Sequence, residues 1–445
     1  MIGRRQVVLG LCAFALGIFA VSAFAGAEDP QIIARGKYLA VAADCAACHR
    51  GSAEHDAPYV GGYAIASPMG KIIASNITPA KETGIGNYNE QDFRRALTQG
   101  IRRDGQPLYP AMPYSAYQGL SDADLHALYR YFMVGVTPVE RAVPATQLDF
   151  PFSWRYAILG WNWLFLKNTS THAAGANERG RYLVDVLGHC SACHSPRNWM
   201  MAERGDRYLA GAEVGGWIAP NITSDPVSGI GGWSQTELVQ YLRTGRNDKA
   251  QAAGGMAEAV EHSLRFLSDD DLTAIADWLK QTPPITTVRA TKAAYQYQGG
   301  GVDSASGAAL YAISCASCHR LDAKGAYDGH FPALRHNSTV GSEQANNLVM
   351  VILHGVKRQG ENIQTWMPGF ADSLDDRQVA ELGNYVLQQF GNPAVRVTPA
   401  QVAQLRAGGE IPLLIRLLPY LLWGGLLLVL LALGWLIQAR RRRTR

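Results

Sequence analysis

The pattern Cys-x-x-Cys-His occurs three times in this 445-residue chain and takes up six of its seven cysteines. The copies are Cys45-Ala46-Ala47-Cys48-His49, Cys190-Ser191-Ala192-Cys193-His194 and Cys315-Ala316-Ser317-Cys318-His319. Two thiols three residues apart can each form a thioether to one porphyrin vinyl group. The adjacent histidine then lies under the iron as an axial ligand, so the pattern marks covalent attachment of haem c. A thioredoxin-like redox pair needs no following histidine. A zinc site needs ligands in sets of four, and no second Cys-x-x-Cys lies within any one repeat. An even cysteine count in an exported chain would otherwise suggest disulfides, yet all six belong to motifs. The sequence predicts three haem c groups on Cys45, Cys48, Cys190, Cys193, Cys315 and Cys318, with His49, His194 and His319 as proximal iron ligands.

Methionine is the expected sixth ligand, because a soft thioether raises the potential relative to a second histidine. Met112 lies in Pro110-Ala111-Met112-Pro113-Tyr114 and Met367 in Trp366-Met367-Pro368-Gly369-Phe370, both read as loops stiffened by proline. Met256 follows Gly254-Gly255 at the corresponding place of the second repeat. The three stand 63, 62 and 48 residues after their histidines. Met69 is a rival in the first repeat, and His262, His330, His336 and His354 are alternative ligands elsewhere. With two protein ligands on each iron no position remains for a substrate, so the chemistry expected is outer-sphere electron transfer and not catalysis by this chain alone.

Each motif sits in a repeat of one plan. A helix precedes it, at Gly36-Lys37-Tyr38-Leu39, at Gly180-Arg181-Tyr182-Leu183, and at Gly307 to Tyr311. A second helix closes it, opening at Leu120-Ser121-Asp122-Ala123-Asp124, at Leu267-Ser268-Asp269-Asp270-Asp271 and at Leu374-Asp375-Asp376. Ser or Asp after the leucine is an N-cap, and the acids suit the first turn. Aligning these helices superposes Tyr131, Trp278 and Tyr385, read as packing aromatics. The first two repeats share Asn76-Ile77-Thr78 and Asn221-Ile222-Thr223, each followed by Gly-Ile-Gly, as either a haem-edge loop or a plain turn. The fold expected is mainly α, with three tandem class I cytochrome c domains at 30–138, 177–282 and 304–392. Connecting segments fall at 139–176, 283–303 and 393–412. The first is rich in aromatics, which its composition places between haem domains, against a partner subunit or at the membrane surface, with core packing the favoured reading.

Both ends read as membrane signals. Residues 1–27 carry Arg4 and Arg5, an apolar run and small residues before the end, the plan of a secretory signal peptide. Residues 413–437 are rich in leucine and precede an arginine cluster in the 438–445 tail, the plan of a single transmembrane anchor with a cytoplasmic basic end. The haem domains then stand on the periplasmic side of the cell membrane. Apart from Arg4, Arg5 and the five arginines of the last six residues, the chain holds 34 basic against 37 acidic side chains. That balance leaves no nucleic-acid footprint.

With three motifs, methionines in place, a leader, a basic-ended anchor and the Trp161-Asn162-Trp163-Leu164-Phe165 segment, the chain resembles the triheme cytochrome c subunits of bacterial membrane-bound dehydrogenases. Those subunits serve gluconate, sorbitol, fructose and alcohol dehydrogenases. The resemblance implies thioethers at the six cysteines, proximal ligation by the three histidines and distal ligation by Met112, Met256 and Met367. It also implies a separate flavin- or pyrroloquinoline-quinone-dependent catalytic subunit, a small third subunit, and ubiquinone as acceptor. The alternative reading is an acceptor-side multihaem cytochrome reduced by quinol and feeding a terminal oxidase or reductase.

Overall fold

The computed structural model describes residues 29–53, 56–166, 176–301, 304–327, 331–359 and 364–443. The leader expected at 1–27 and the alternative ligand His330 lie outside them. The protein is mainly helical, and its organising contact is a crossing of two helices that recurs three times. Helix α1 (Pro30–Ala42) leads into the short α2 (Cys45–His49). A hairpin of β1 (Ala64–Ser67) and β2 (Gly70–Ile73) follows, then α3 (Glu90–Gln99) and α4 (Tyr114–Tyr117). Helix α5 (Asp122–Arg130), widened into a π turn at Tyr131–Gly135, returns across α1.

The second repeat runs through α7 (Ala176–Arg181), continued by a π turn at Tyr182–Leu187, and α8 (Ser191–His194). After them come β4 (Ala212–Val214), β5 (Trp217–Ala219), α9 (Gln235–Thr244), α10 (Gly254–His262) and α11 (Asp269–Gln281). Between the two repeats lie β3 (Gln147–Leu148) and α6 (Ala157–Phe165). The third repeat consists of α12 (Ala305–Ser314), α13 (Ala316–His319), α14 (Asn346–His354), the hairpin β6 (Val356–Gln359) with β7 (Gln364–Met367), and α15 (Asp376–Phe390). Two helices complete the chain, α16 (Pro399–Arg406) and α17 (Leu413–Arg443).

One glycine explains each crossing. A Cβ on Gly36 would stand 2.0 Å from the Ala127 carbonyl oxygen and 2.6 Å from Tyr131 Cβ. On Gly180 it would meet the Ala274 carbonyl at 2.1 Å and Trp278 Cβ at 2.9 Å, and on Gly307 it would meet Tyr385 Cβ at 2.6 Å. Glycine lets the opening helix lie backbone against backbone on the closing helix. The aromatics Tyr131, Trp278 and Tyr385 sit directly over it, in the structural role their alignment suggests. The closing helices start where their side chains can cap them: Ser121, Ser268 and Asp375 each accept a backbone N–H three residues on.

The segment between the first two repeats departs from the expectation that its aromatics are buried. It adds β3 to the first hairpin, with Gly70 opposite Leu148. Helix α6 docks through buried Asn162, which accepts the Tyr114 hydroxyl at 2.7 Å, and through Trp161, whose indole N–H donates to the Met200 carbonyl at 2.9 Å. Phe150, Trp154 and Trp163 face outward, Trp163 with 84% of its surface exposed. A nine-residue helix with one buried face has no room to cover aromatics on every side.

Helix α17 has 31 residues, is about 47 Å long at 1.5 Å per residue, and is covered by none of the other described residues in its most apolar stretch. It is long and apolar enough to cross a membrane. Tyr420 and Trp423 lie towards one end of the apolar run and Trp435 towards the other, next to Arg440–Arg443. Aromatics at both ends with arginines beyond are the pattern of a helix seated in two interfaces.

Candidate haem-binding sites

All three motif histidines make the same bond. His49 Nδ1 lies 2.7 Å from the Ser75 carbonyl, His194 Nδ1 2.7 Å from the Pro220 carbonyl, and His319 Nδ1 2.9 Å from the Pro332 carbonyl. A carbonyl only accepts, so Nδ1 carries the proton and Nε2 keeps its lone pair. That is the tautomer and ring orientation an axial ligand requires. Burial lowers the basicity of each imidazole, outweighing the opposing effect of its carbonyl, and keeps the ring neutral as a ligand must be.

In the first two repeats the residue just before the shared Asn-Ile-Thr block supplies this carbonyl. Asn76 Oδ1 accepts the Thr78 backbone N–H at 2.9 Å and its hydroxyl at 2.7 Å, while Asn76 Nδ2 donates to the Val139 carbonyl at 2.9 Å. Asn221 does the same with Thr223, at 2.8 and 2.7 Å, and donates to the Ile285 carbonyl at 2.6 Å. The following Gly-Ile-Gly closes on the block: a Cβ on Gly84 or Gly229 would lie 2.2 Å from the Thr78 or Thr223 carbonyl oxygen. This turn tethers the histidine ring. Ser75, Pro220 and Pro332 act through their backbones, so only the recurrence of the block pointed towards the first two. The third repeat, which lacks the block, keeps the carbonyl at Pro332.

Among the described residues no cysteine is paired with another in a disulfide. Burial pushes Cys45 and Cys190 up to about 12 and Cys48 and Cys315 up to about 11. Among the described residues no group of three or more His, Cys, Asp and Glu could hold a metal ion. The chemistry present at each motif is two thiols and one oriented imidazole, which fits covalent haem.

The three methionines sit in different local structures. Met112 lies in the turn that leads into α4, half-buried against the core shared by the first two repeats. Met256 packs on the same core from the first turn of α10. Met367 ends β7, opposite Val356, so its Met-Pro step closes a strand and is not a free loop. The rival Met69 lies at the tip of the β1–β2 hairpin, where its carbonyl accepts the Asp149 N–H at 2.9 Å. His262 faces the Arg50 guanidinium at 3.4 Å.

A sequence profile described as cytochrome c matches residues 33–133 and 304–390. The fructose dehydrogenase cytochrome subunit of Gluconobacter japonicus is 45% identical, over 94% of this chain and 93% of that protein. The gluconate 2-dehydrogenase cytochrome c subunit of Pantoea cypripedii is 40% identical, over 89% of this chain and 94% of its own length. The cytochrome c subunit of the alcohol dehydrogenase (quinone) of Gluconobacter oxydans is 38% identical, over 89% and 87%.

Proposed function

The chain belongs to the cytochrome c subunits of dehydrogenases, and from that premise we propose that it is the triheme electron-transfer subunit of a membrane-bound dehydrogenase. It takes electrons from a separate flavin- or pyrroloquinoline-quinone-dependent catalytic subunit, with which a small third subunit assembles, and delivers them to ubiquinone. Haem c supplies one-electron chemistry when bound. The residues that would hold it are Cys45, Cys48 and His49, Cys190, Cys193 and His194, and Cys315, Cys318 and His319. Met112, Met256 and Met367 complete the ligand sets. The observation that carries this reading is the carbonyl tether on all three motif histidines, the second included, although the cytochrome c profile does not reach it.

Three cytochrome c domains, at 30–138, 177–282 and 304–392, follow from the same recurrence. The chain's own task at each is to fix the imidazole ring and present two thiols beside it. The similar proteins are cytochrome subunits of dehydrogenases, which supports assigning substrate oxidation to a separate catalytic partner. Helix α17 anchors the assembly, with its arginines on the cytoplasmic side and the haem domains on the periplasmic side.

The test is a visible spectrum of the complex, purified in mild detergent and re-oxidised, while fructose, gluconate and ethanol are added in turn. Reduction of the haem band by one of them, and its re-oxidation by a ubiquinone analogue, is expected. A complex reduced only by a quinol reverses the direction proposed.

A further inference from the structure

The first two repeats exchange the same contacts in both directions. The Tyr38 hydroxyl on α1 donates to Asp271 Oδ2 at 2.6 Å and accepts the Ser268 N–H at 3.1 Å, at the start of α11. The Tyr182 hydroxyl donates to Asp124 Oδ2 at 2.7 Å and accepts the Ser121 N–H at 3.4 Å, at the start of α5. Each buried carboxylate is completed from its own repeat. Arg35 Nε donates to Asp124 Oδ1 and Arg179 Nε to Asp271 Oδ1, both at 2.8 Å.

The packing is reciprocal as well. Helix α4 lies on the Tyr182–Leu187 turn of the second repeat, and the Leu264–Phe266 turn lies on α1 of the first. An interface in which one element meets its counterpart both ways is that of a two-fold axis. Here both halves belong to one chain, so the axis is a pseudo-two-fold. The third repeat cannot join it: Ser306, Ala309 and Gln378 stand where the others have arginine, tyrosine and aspartate.

The two motifs meet beside this axis. Asp44 and His189 hold the same place, one residue before the first cysteine, and both are left-handed, at φ 52° and 37°. The Ala43 carbonyl, beside Asp44, accepts the Tyr117 hydroxyl at 2.8 Å, and the Tyr117 ring meets the His189 ring edge-on at 5.9 Å. Arg50, next to the first motif, reaches Glu258 on α10 at 3.3 Å, and α10 packs on both α2 and β6.

We propose that the reciprocal latch of Tyr38 with Asp271 and Tyr182 with Asp124 positions the first two haem sites as a rigid facing pair about a pseudo-two-fold axis, so that their haems exchange electrons directly. The third repeat packs on the second away from this latch, with Asn347 bonded to both backbone groups of Ile218 at 2.8 Å and β6 lying on α10. The inference rests on the reading that each motif binds haem c. Tyr38 and Tyr182 are positioning residues in it and touch no reacting atom.

The experiment is Soret circular dichroism of the full-length holoprotein in detergent. Two porphyrins held close at a fixed angle couple their transitions and give a two-signed band, which a distant pair does not. The band is expected in the parent and in the C315A/C318A variant, and is lost in C45A/C48A and in C190A/C193A. The Y38F/Y182F variant and Gly119→Leu, whose side chain would drive into Val186 across the interface, are expected to weaken it while haem absorbance stays at the parental level. A parent without the band, a band that needs the third haem alone, or a band indifferent to both interface variants overturns the proposal. The haem content of the parent, measured separately by pyridine haemochromogen, decides the underlying reading, so the two failures are distinguishable.

Discussion

Replacing Gly36 by alanine adds one methyl group at the tightest point of the first repeat. Its carbon would sit 2.0 Å from the Ala127 carbonyl oxygen and 2.6 Å from Tyr131 Cβ. Comfortable carbon contacts lie at about 3.5 Å or more, so α1 and α5 must part by more than about 1 Å. Both obstacles are backbone or next to it, and neither can rotate away. Alanine returns up to about 1 kcal/mol of helix propensity, against an overpacking cost of about 1–3 kcal/mol. A net loss of about 1–2 kcal/mol raises the open fraction of this helix pair about 5- to 30-fold. Hydrogen exchange on peptides covering 30–42 and 122–135 reads that change directly, while peptides from the third repeat stay at parental rates. The control is Gly160→Ala on α6, where a Cβ meets nothing within 4 Å and the same propensity gain stands unopposed. Equal exchange in the two variants would refute the argument that glycine is required by the crossing.

Asn76→Ala removes five hydrogen bonds that shape the turn holding the Ser75 carbonyl. It is expected to cost about 1–3 kcal/mol and to shift the midpoint potential of one haem in a spectroelectrochemical titration; three unmoved potentials contradict the tether. Met112→Leu or Met367→Leu is expected to lower one haem potential and slow quinone reduction, and an unchanged titration removes that methionine from the ligand set. Burial works against ionisation of Asp271, but its bonds to Arg179 and Tyr38 outweigh it and hold the carboxyl below the usual range. Because the folded value is the depressed one, its stabilising contribution is complete above the unfolded value of about 3.9 and is lost as pH falls through the folded value. Thermal melts should therefore be insensitive to Asp271→Asn-removable acid effects at pH 5 to 7 and show them only below about pH 4; a parent and variant with identical acid profiles would exclude the ion pair as their source.

The motifs, the helices around them and the caps of the closing helices were legible because they depend on residues a few positions apart. The alignment of Tyr131, Trp278 and Tyr385 was legible as packing because all three repeats keep it. What the sequence hid is tertiary. Ser75, Pro220 and Pro332 hold the histidines through carbonyls, which any residue carries, so their identities signal nothing. Tyr38 and Tyr182 stand in the opening helices as ordinary aromatics, and their partners lie more than fifty residues away. The aromatic content of 139–176 suggested burial, yet composition does not say which face of a short helix is covered. The Met-Pro step at Met367 suggested a loop, but proline is compatible with a strand when it follows the last paired residue.

The most direct measurement is proteolytic digestion of the purified holoprotein followed by mass spectrometry of the haem-bearing peptides. Three such peptides are predicted, containing Cys45–His49, Cys190–His194 and Cys315–His319. A digest with haem on the first and third alone, and Cys190 and Cys193 recovered as free thiols or a disulfide, would contradict the account at the one site that the cytochrome c profile does not reach.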